Sequence, residues 1–303
     1  DVRAKVIGEG ANLGVTQLGR IEFARNGGHV NTDFLDNSGG VDSSDHEVNI
    51  KILLRDVMQK KKHKMDISAR NKLLEKMTNT VSAHVLLHNY QQSLAISLAS
   101  LQAPDNVKVH EQFIRELERD IGLDRKLEGL PSSKAMEERK RLGKGLTRPE
   151  LCVLLSYAKI EFSKDLLASD VPDDPHMQVW LYEYFPEILR DQYKVEIANH
   201  QLGREIISTV ISSSMVNRMG PTFLRSCMKK TGAVCSEVAK SYMIVRDVFG
   251  LFDLWGAIEG MDNKVPALVQ LRAMRSIFDL AEHGIIWFLT RLGRDLDLTK
   301  DIE

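Results

Sequence analysis

The chain has 303 residues, enough for two domains or for one domain and part of another, and its 43% hydrophobic and 27% charged content is that of an ordinary water-soluble globular protein. A net charge of −1 gives no field for gripping nucleic acid, and no apolar run approaches the length needed to span a membrane. Three unevenly spaced cysteines, Cys152, Cys227 and Cys235, exclude a disulfide framework or a zinc site built on thiolates, and reduced, buried thiols in a cytoplasmic protein are expected.

The first element expected is a short strand over Ala4–Ile7, running into Gly8-Glu9-Gly10-Ala11-Asn12-Leu13-Gly14. A dinucleotide-binding loop that opens a Rossmann domain wants its third glycine at residue 13, where this chain has leucine. Only about twenty residues separate this loop from the next strand, His29–Thr32, which leaves no room for a complete βαβ unit. The loop is therefore read as the end of a later strand. The chain begins without an initiator methionine and enters a strand almost at once, the pattern of a piece of a longer protein.

Asp36-Asn37-Ser38-Gly39-Gly40-Val41-Asp42-Ser43-Ser44 is the second glycine-rich segment. Paired glycines let a ligand touch the backbone, and Asn37 offers both a donor and an acceptor. Ser43 and Ser44 are read as caps at a helix N-terminus, where hydroxyls and free amides hold an anion.

Composition changes near residue 45, after which helix follows helix. Apolar spacing predicts helices to about Lys62, from Ser68 to about Leu101, and from beyond Pro104 to Gly122, then a charged loop with one short helix over 123–146. The run Lys60–Lys64 is read as a solvated helix end. Thr147-Arg148-Pro149-Glu150 is a capping box that opens a helix through Phe162. Val171–Pro175 breaks the chain in an acidic turn, and Gly220-Pro221 stops one helix before another. Apolar residues on both faces of the last long helix, including Leu268, Leu280 and Trp287, predict burial on most of its sides. His84 and His88 share one helix face but lack the glutamate of a zinc-protease helix, so packed or partly exposed histidines are expected, with no metal site.

Two of these segments carry a resemblance. Lys5–Asn12 and Asn37-Ser38-Gly39-Gly40-Val41 through Ser44, with the long helix after them, resemble the glutamate dehydrogenases, most closely the large NAD-specific bacterial type. Beyond residue 50, Leu146–Leu151 and Asn217–Phe223 resemble the large type alone. The resemblance implies oxidative deamination of L-glutamate to 2-oxoglutarate, with NAD as cofactor. It places Gly10, Asn12, Asn37 and Gly39 on the cofactor side, and Gly40 and Ser44 on the substrate side. The catalytic lysine and aspartate of the family come from earlier in the chain, so no catalytic residue is assigned here and these 303 residues alone are expected to be inactive. The partners implied are glutamate or 2-oxoglutarate, the upstream catalytic domains and further copies in a homo-oligomer.

The fold expected is mainly α: an α/β remnant of a Rossmann-like domain over 1–45, then a multi-helix C-terminal domain over 46–303. Small residues usually stand where Asp42 and Ser43 do, and Asp42 would repel an anionic substrate unless it faces away. Two alternatives stay open: a helical interaction or regulatory module without catalysis of its own, and a related dehydrogenase acting on leucine or phenylalanine.

Overall fold

A computed structural model describes residues 2–60, 65–291, 296 and 298–302. Apart from Lys60, the basic run lies outside the described residues.

The chain opens with β1 (Val6–Ile7), α1 (Gln17–Arg25) and β2 (His29–Val30). The two strands are parallel, with Val6 opposite His29 and Ile7 opposite Val30. This is a βαβ unit, and it corrects the expectation that the spacing leaves no room for one. Thr16 caps α1 by accepting from the Gly19 amide, and α1 is only nine residues long, so the crossover closes in about twenty residues. Leu13 has φ +61° and is exposed. An L side chain pays about 1 kcal/mol for that left-handed conformation. Leu13→Gly is therefore expected to raise stability by up to about 1 kcal/mol in urea unfolding; a loss would show that the leucine side chain packs after all.

Next come α2 (Asp33–Asp36), α3 (Ser38–Gln59), the 36-residue α4 (Ile67–Gln102) and α5 (Val107–Ile121). Gly122 ends α5 at φ +70°, as its glycine predicts. Then follow α6 (Ser133–Arg141) and α7 (Arg148–Leu167), whose capping box has Glu150 accepting from both the amide and the hydroxyl of Thr147. Short turns of 3-10 helix occupy Val171–Asp173 and Pro175–Met177. The remaining helices are α8 (Gln178–Tyr184), α9 (Glu187–Gln192), α10 (Lys194–Ala198), α11 (Gly203–Met219), α12 (Phe223–Thr231), α13 (Cys235–Val248), α14 (Leu251–Glu259), α15 (Ala267–Arg291) and α16 (Leu298–Ile302).

The centre of the core is α7 packed along α11. Leu151 to Leu155 are five consecutive buried residues, a helix enclosed on all sides, and they meet a face of α11 that buries Ile207, Ile211 and Met215. The C-terminal half of α4 buries Ala95, Ile96 and Ala99, and α4 packs on α7, α11 and α15 as well as α3. One long helix thus ties the N-terminal region to the helical body. All three cysteines are buried and unpaired, and burial pushes the Cys152 and Cys227 thiols up to about 11 and that of Cys235 up to about 12, so they stay protonated.

The last long helix departs from expectation. α15 buries Met274, Ile277, Ala281 and Ile285, whereas Leu268, Leu280 and Trp287 are exposed. It lies at the rim, packed from one side by α12, α13, α14 and α4, so the side chains of its second apolar stripe stay about half exposed.

Candidate functional site

A cleft of about 510 Å³ lies at the carboxyl ends of β1 and β2, lined among others by Gly8, Glu9, Gly10, Asn31, Asp36 and Arg148. In open α/β sheets this end of the strands is where ligands sit. A Cβ added at Gly8 or Gly10 would meet nothing within 4 Å, so in both places the backbone faces open space.

Two buried charges shape the loop above β1. Glu9 and Arg20 are 5% and 3% exposed and form a two-pronged pair, Nε to Oε2 at 2.6 Å and Nη2 to Oε1 at 2.7 Å. The same carboxylate accepts from the Val15 amide at 2.7 Å, and Arg20 also reaches Asp33 at 3.0 Å. The hydrogen bond from Arg20 holds the Glu9 carboxyl below its ordinary value, against burial that would raise it. Asp33 in turn accepts from the Leu13 amide at 2.7 Å. The 9–16 loop is therefore clamped by ionised groups that no local spacing rule picks out.

The floor of the cleft is built from distant segments. Asp36 accepts from the Glu9 amide at 3.0 Å and from Asn31 at 2.8 Å, and Asn89 of α4 donates to the carbonyls of Leu35 and Asp36. Arg148, the first residue of α7, donates to Asn31 at 3.0 Å and to Ser97 at 3.1 Å. The sequence reading used this motif only as a cap. A signal was present: a cation in the first turn of a helix opposes the macrodipole, so an arginine there needs another reason.

The predicted site residues are brought together in part. The side chains of Asn12 and Asn37 meet, Nδ2 of Asn37 donating to Oδ1 of Asn12 at 2.8 Å. Gly39 and Gly40 follow, but in a helix rather than a loop. Here the structure corrects the reading of Ser43 and Ser44 as caps: α3 begins at Ser38, and both hydroxyls donate to the Gly40 carbonyl at 3.1 Å from inside the helix. Asn37 is the N-cap residue, and the Gly40 amide of the first turn donates to its carbonyl at 3.1 Å. Glycine costs about 1 kcal/mol inside a helix. A Cβ at Gly39 would make van der Waals contact with Val85 of α4 at 3.4 Å, whereas one at Gly40 would crowd Asn37 Oδ1 at 3.0 Å.

α3 has two distinct faces. Gly40, Ser44 and Val48 are exposed, while Ile50, Leu53 and Val57 are buried. Asp42 is turned about 200° from Ser44 around the helix axis and points at α4. Its Oδ2 lies 2.8 Å from Nδ1 of His88. Burial alone would raise the Asp42 carboxyl, but the hydrogen bond and charge of His88, with His46 and His84, hold it below its ordinary value. Asp42 thus faces His88 of α4, away from the Ser44 side of α3. Neither the Asp42–His88 contact nor the Glu9–Arg20 pair was found by sequence reasoning.

The described residues define a mainly helical protein with a small parallel α/β edge. The family described as "Glutamate dehydrogenase, C-terminal" matches residues 143–303, and "Bacterial NAD-glutamate dehydrogenase, catalytic domain" matches residues 1–99. The chain belongs to the glutamate dehydrogenase family. Relatives named NAD-specific glutamate dehydrogenase are 46% identical in Pseudomonas aeruginosa over 100% of this chain, 45% in Halomonas elongata over 95%, and 41% in Mycobacterium tuberculosis over 99%. The chain spans 18% of the length of each of these relatives.

Proposed function

We propose that this chain is part of an NAD-dependent glutamate dehydrogenase, in which residues 1–45 close a Rossmann-like cofactor domain and residues 46–303 form a helical C-terminal domain that braces it. The observation that carries the reading is the meeting of Asn12 and Asn37, 2.8 Å apart and beside the cleft at the ends of two parallel strands. The names of the relatives point the same way.

When bound, NAD would supply the hydride acceptor for the oxidation of L-glutamate to 2-oxoglutarate and ammonia. The residues present fit the nicotinamide half of that cofactor: Gly8 and Gly10 leave open space, and the paired carboxamides of Asn12 and Asn37 match the hydrogen-bonding needs of an amide and a ribose. Gly10, Asn12, Asn37 and Gly39 take the cofactor side, and Gly40 and Ser44 the substrate side. Ser44 stands on the exposed face of α3, and its hydroxyl would turn from the Gly40 carbonyl to donate to the side-chain carboxylate of glutamate. The proton-transferring lysine and aspartate belong to upstream parts of the whole enzyme, and these residues alone are inactive.

In the full-length enzyme, Ser44→Ala is expected to raise the glutamate KM about tenfold or more, the value of a hydrogen bond to a charged group, with the NAD KM within about twofold. A rise confined to the NAD KM overturns the assignment. We place the whole enzyme in the cytoplasm, a reading supported by three buried, unpaired thiols. Homo-oligomer formation is supported by the exposed apolar stripe of α15.

A further inference from the structure

On the face of α3 turned away from Ser44, two helices bring three metal-ligating side chains together. Asp42 and His46 stand one turn apart on α3, and His88 faces them from α4. One ligand atom from each of the three lies within 4.8 Å of the other two. Nδ1 of His88 is 2.8 Å from Asp42 Oδ2, and Nε2 of His46 is 3.9 Å from Asp42 Oδ1.

His46 points to what the cluster is for. It is 1% exposed, and neither ring nitrogen has a hydrogen-bond partner among the described residues. A buried imidazole normally satisfies both nitrogens, and leaving a polar group unpaired costs about 1–3 kcal/mol. Packing does not excuse it, because Tyr184 stacks on the His46 ring at 4.5 Å while its own hydroxyl donates to Asp45 at 2.7 Å. The ring plane is held, and its nitrogens are left without partners.

We propose that Asp42, His46 and His88 bind a divalent transition metal of the zinc class, which clamps the start of α3 to α4. Two imidazoles and one carboxylate suit zinc and its neighbours, whereas magnesium and calcium take oxygen ligands throughout. Three protein ligands also leave a fourth position for water. Bonds of about 2.0–2.2 Å require the ligand atoms to draw in by on the order of an ångström, within reach of side-chain adjustment. His88 is half exposed and provides the way in from solvent.

The surrounding charges act in both directions. Asp45 favours a cation, whereas Lys159 of α7 and Arg190 of α9 oppose one. His84 lies one turn before His88, with its ring centroid 5.8 Å from His46, outside the converging set. The site belongs to this chain whichever substrate the whole enzyme uses.

The test uses the full-length protein, stripped with a chelator and titrated with zinc chloride against a chromophoric competitor. The wild type is expected to bind one zinc equivalent that Asp42→Asn and His88→Gln each weaken about tenfold or more, the least that loss of a direct ligand should cost given that outer-shell partners cost 10–100-fold. His283→Gln, on the exposed side of α15, leaves that affinity unchanged. His88 is at the rim, so His88→Gln is expected to keep the metal-free melting midpoint of the wild type, which separates loss of metal from loss of fold. Cobalt in place of zinc should give visible ligand-field bands in the wild type that His46→Gln lacks. Equal zinc stoichiometry and affinity in the wild type, Asp42→Asn and His88→Gln overturns the proposal.

Discussion

Glu9→Ala is expected to destabilise the N-terminal βαβ unit by about 3–5 kcal/mol, the cost of breaking a buried ion pair from one side. The Arg20 guanidinium would stay buried with only Asp33, whose side chain is 16% exposed, against its charge, and the Val15 amide would lose its acceptor. Amide exchange at Val15 and unfolding in urea measure the effect. Glu9→Ala combined with Arg20→Met should cost less than Glu9→Ala alone, because an apolar pair of similar volume avoids the stranded charge. Equal losses would mean that packing, not charge, holds the loop. The carboxyl of Glu9 lies below its unfolded value, so its contribution is present above about pH 4.5 and is lost as the pH falls through the lowered folded value. The Asn12–Asn37 contact stands on the same loop, so Glu9→Ala should also loosen the proposed cofactor edge without touching a ligand.

His110 produces the second large effect, in the opposite half of the molecule. It is 2% exposed on α5, Nδ1 has no partner among the described residues, and burial pushes its pKa down to about 4. The unfolded chain takes up a proton near pH 6.5, the folded chain only near 4. Between those values the unfolded state binds more protons, so stability falls as the pH drops from 6.5 towards 4. At about 1.4 kcal/mol per pH unit the full span amounts to about 3 kcal/mol. His110→Leu should remove that contribution, and the difference between the two stability profiles isolates His110 from the other histidines that burial lowers, His46, His84 and His200. Parallel profiles in the two proteins would refute the assignment.

The elements legible in the sequence share one property: their signals lie within a few residues of each other. Gly122 and Gly220 stop helices where the chain needs positive φ, and the Thr147–Glu150 box opens α7 because both partners lie within one turn. The start of α3 was misplaced for the same reason. Ser43 and Ser44 are good caps, yet α3 starts at Ser38 and packs along α4, a contact that no spacing within the segment announces.

The candidate site divides along the same line. Asn12 and Asn37 stand in two short motifs, but the meeting of their side chains is a tertiary event. Arg148 reaches Asn31 across 117 residues, and His88 reaches Asp42 across 46. Such contacts leave no periodic trace, since any residue type tolerated at one end leaves the other end unconstrained in sequence. The outer face of α15 is the converse case: its apolar stripe is plain in the sequence, but burial depends on which neighbours arrive.

By itself the sequence determined the long helices, the stops at Gly122 and Gly220, the Thr147 cap and the two motifs that carry the family resemblance, because each depends on backbone geometry within one or two turns. The tertiary structure alone decided that Asp42 faces α4 and not the Ser44 side, that Glu9 is neutralised by Arg20, and that His46 is buried with neither nitrogen hydrogen-bonded among the described residues. Those facts depend on charges and volumes meeting from distant parts of the chain, and only the packed helices bring them within reach.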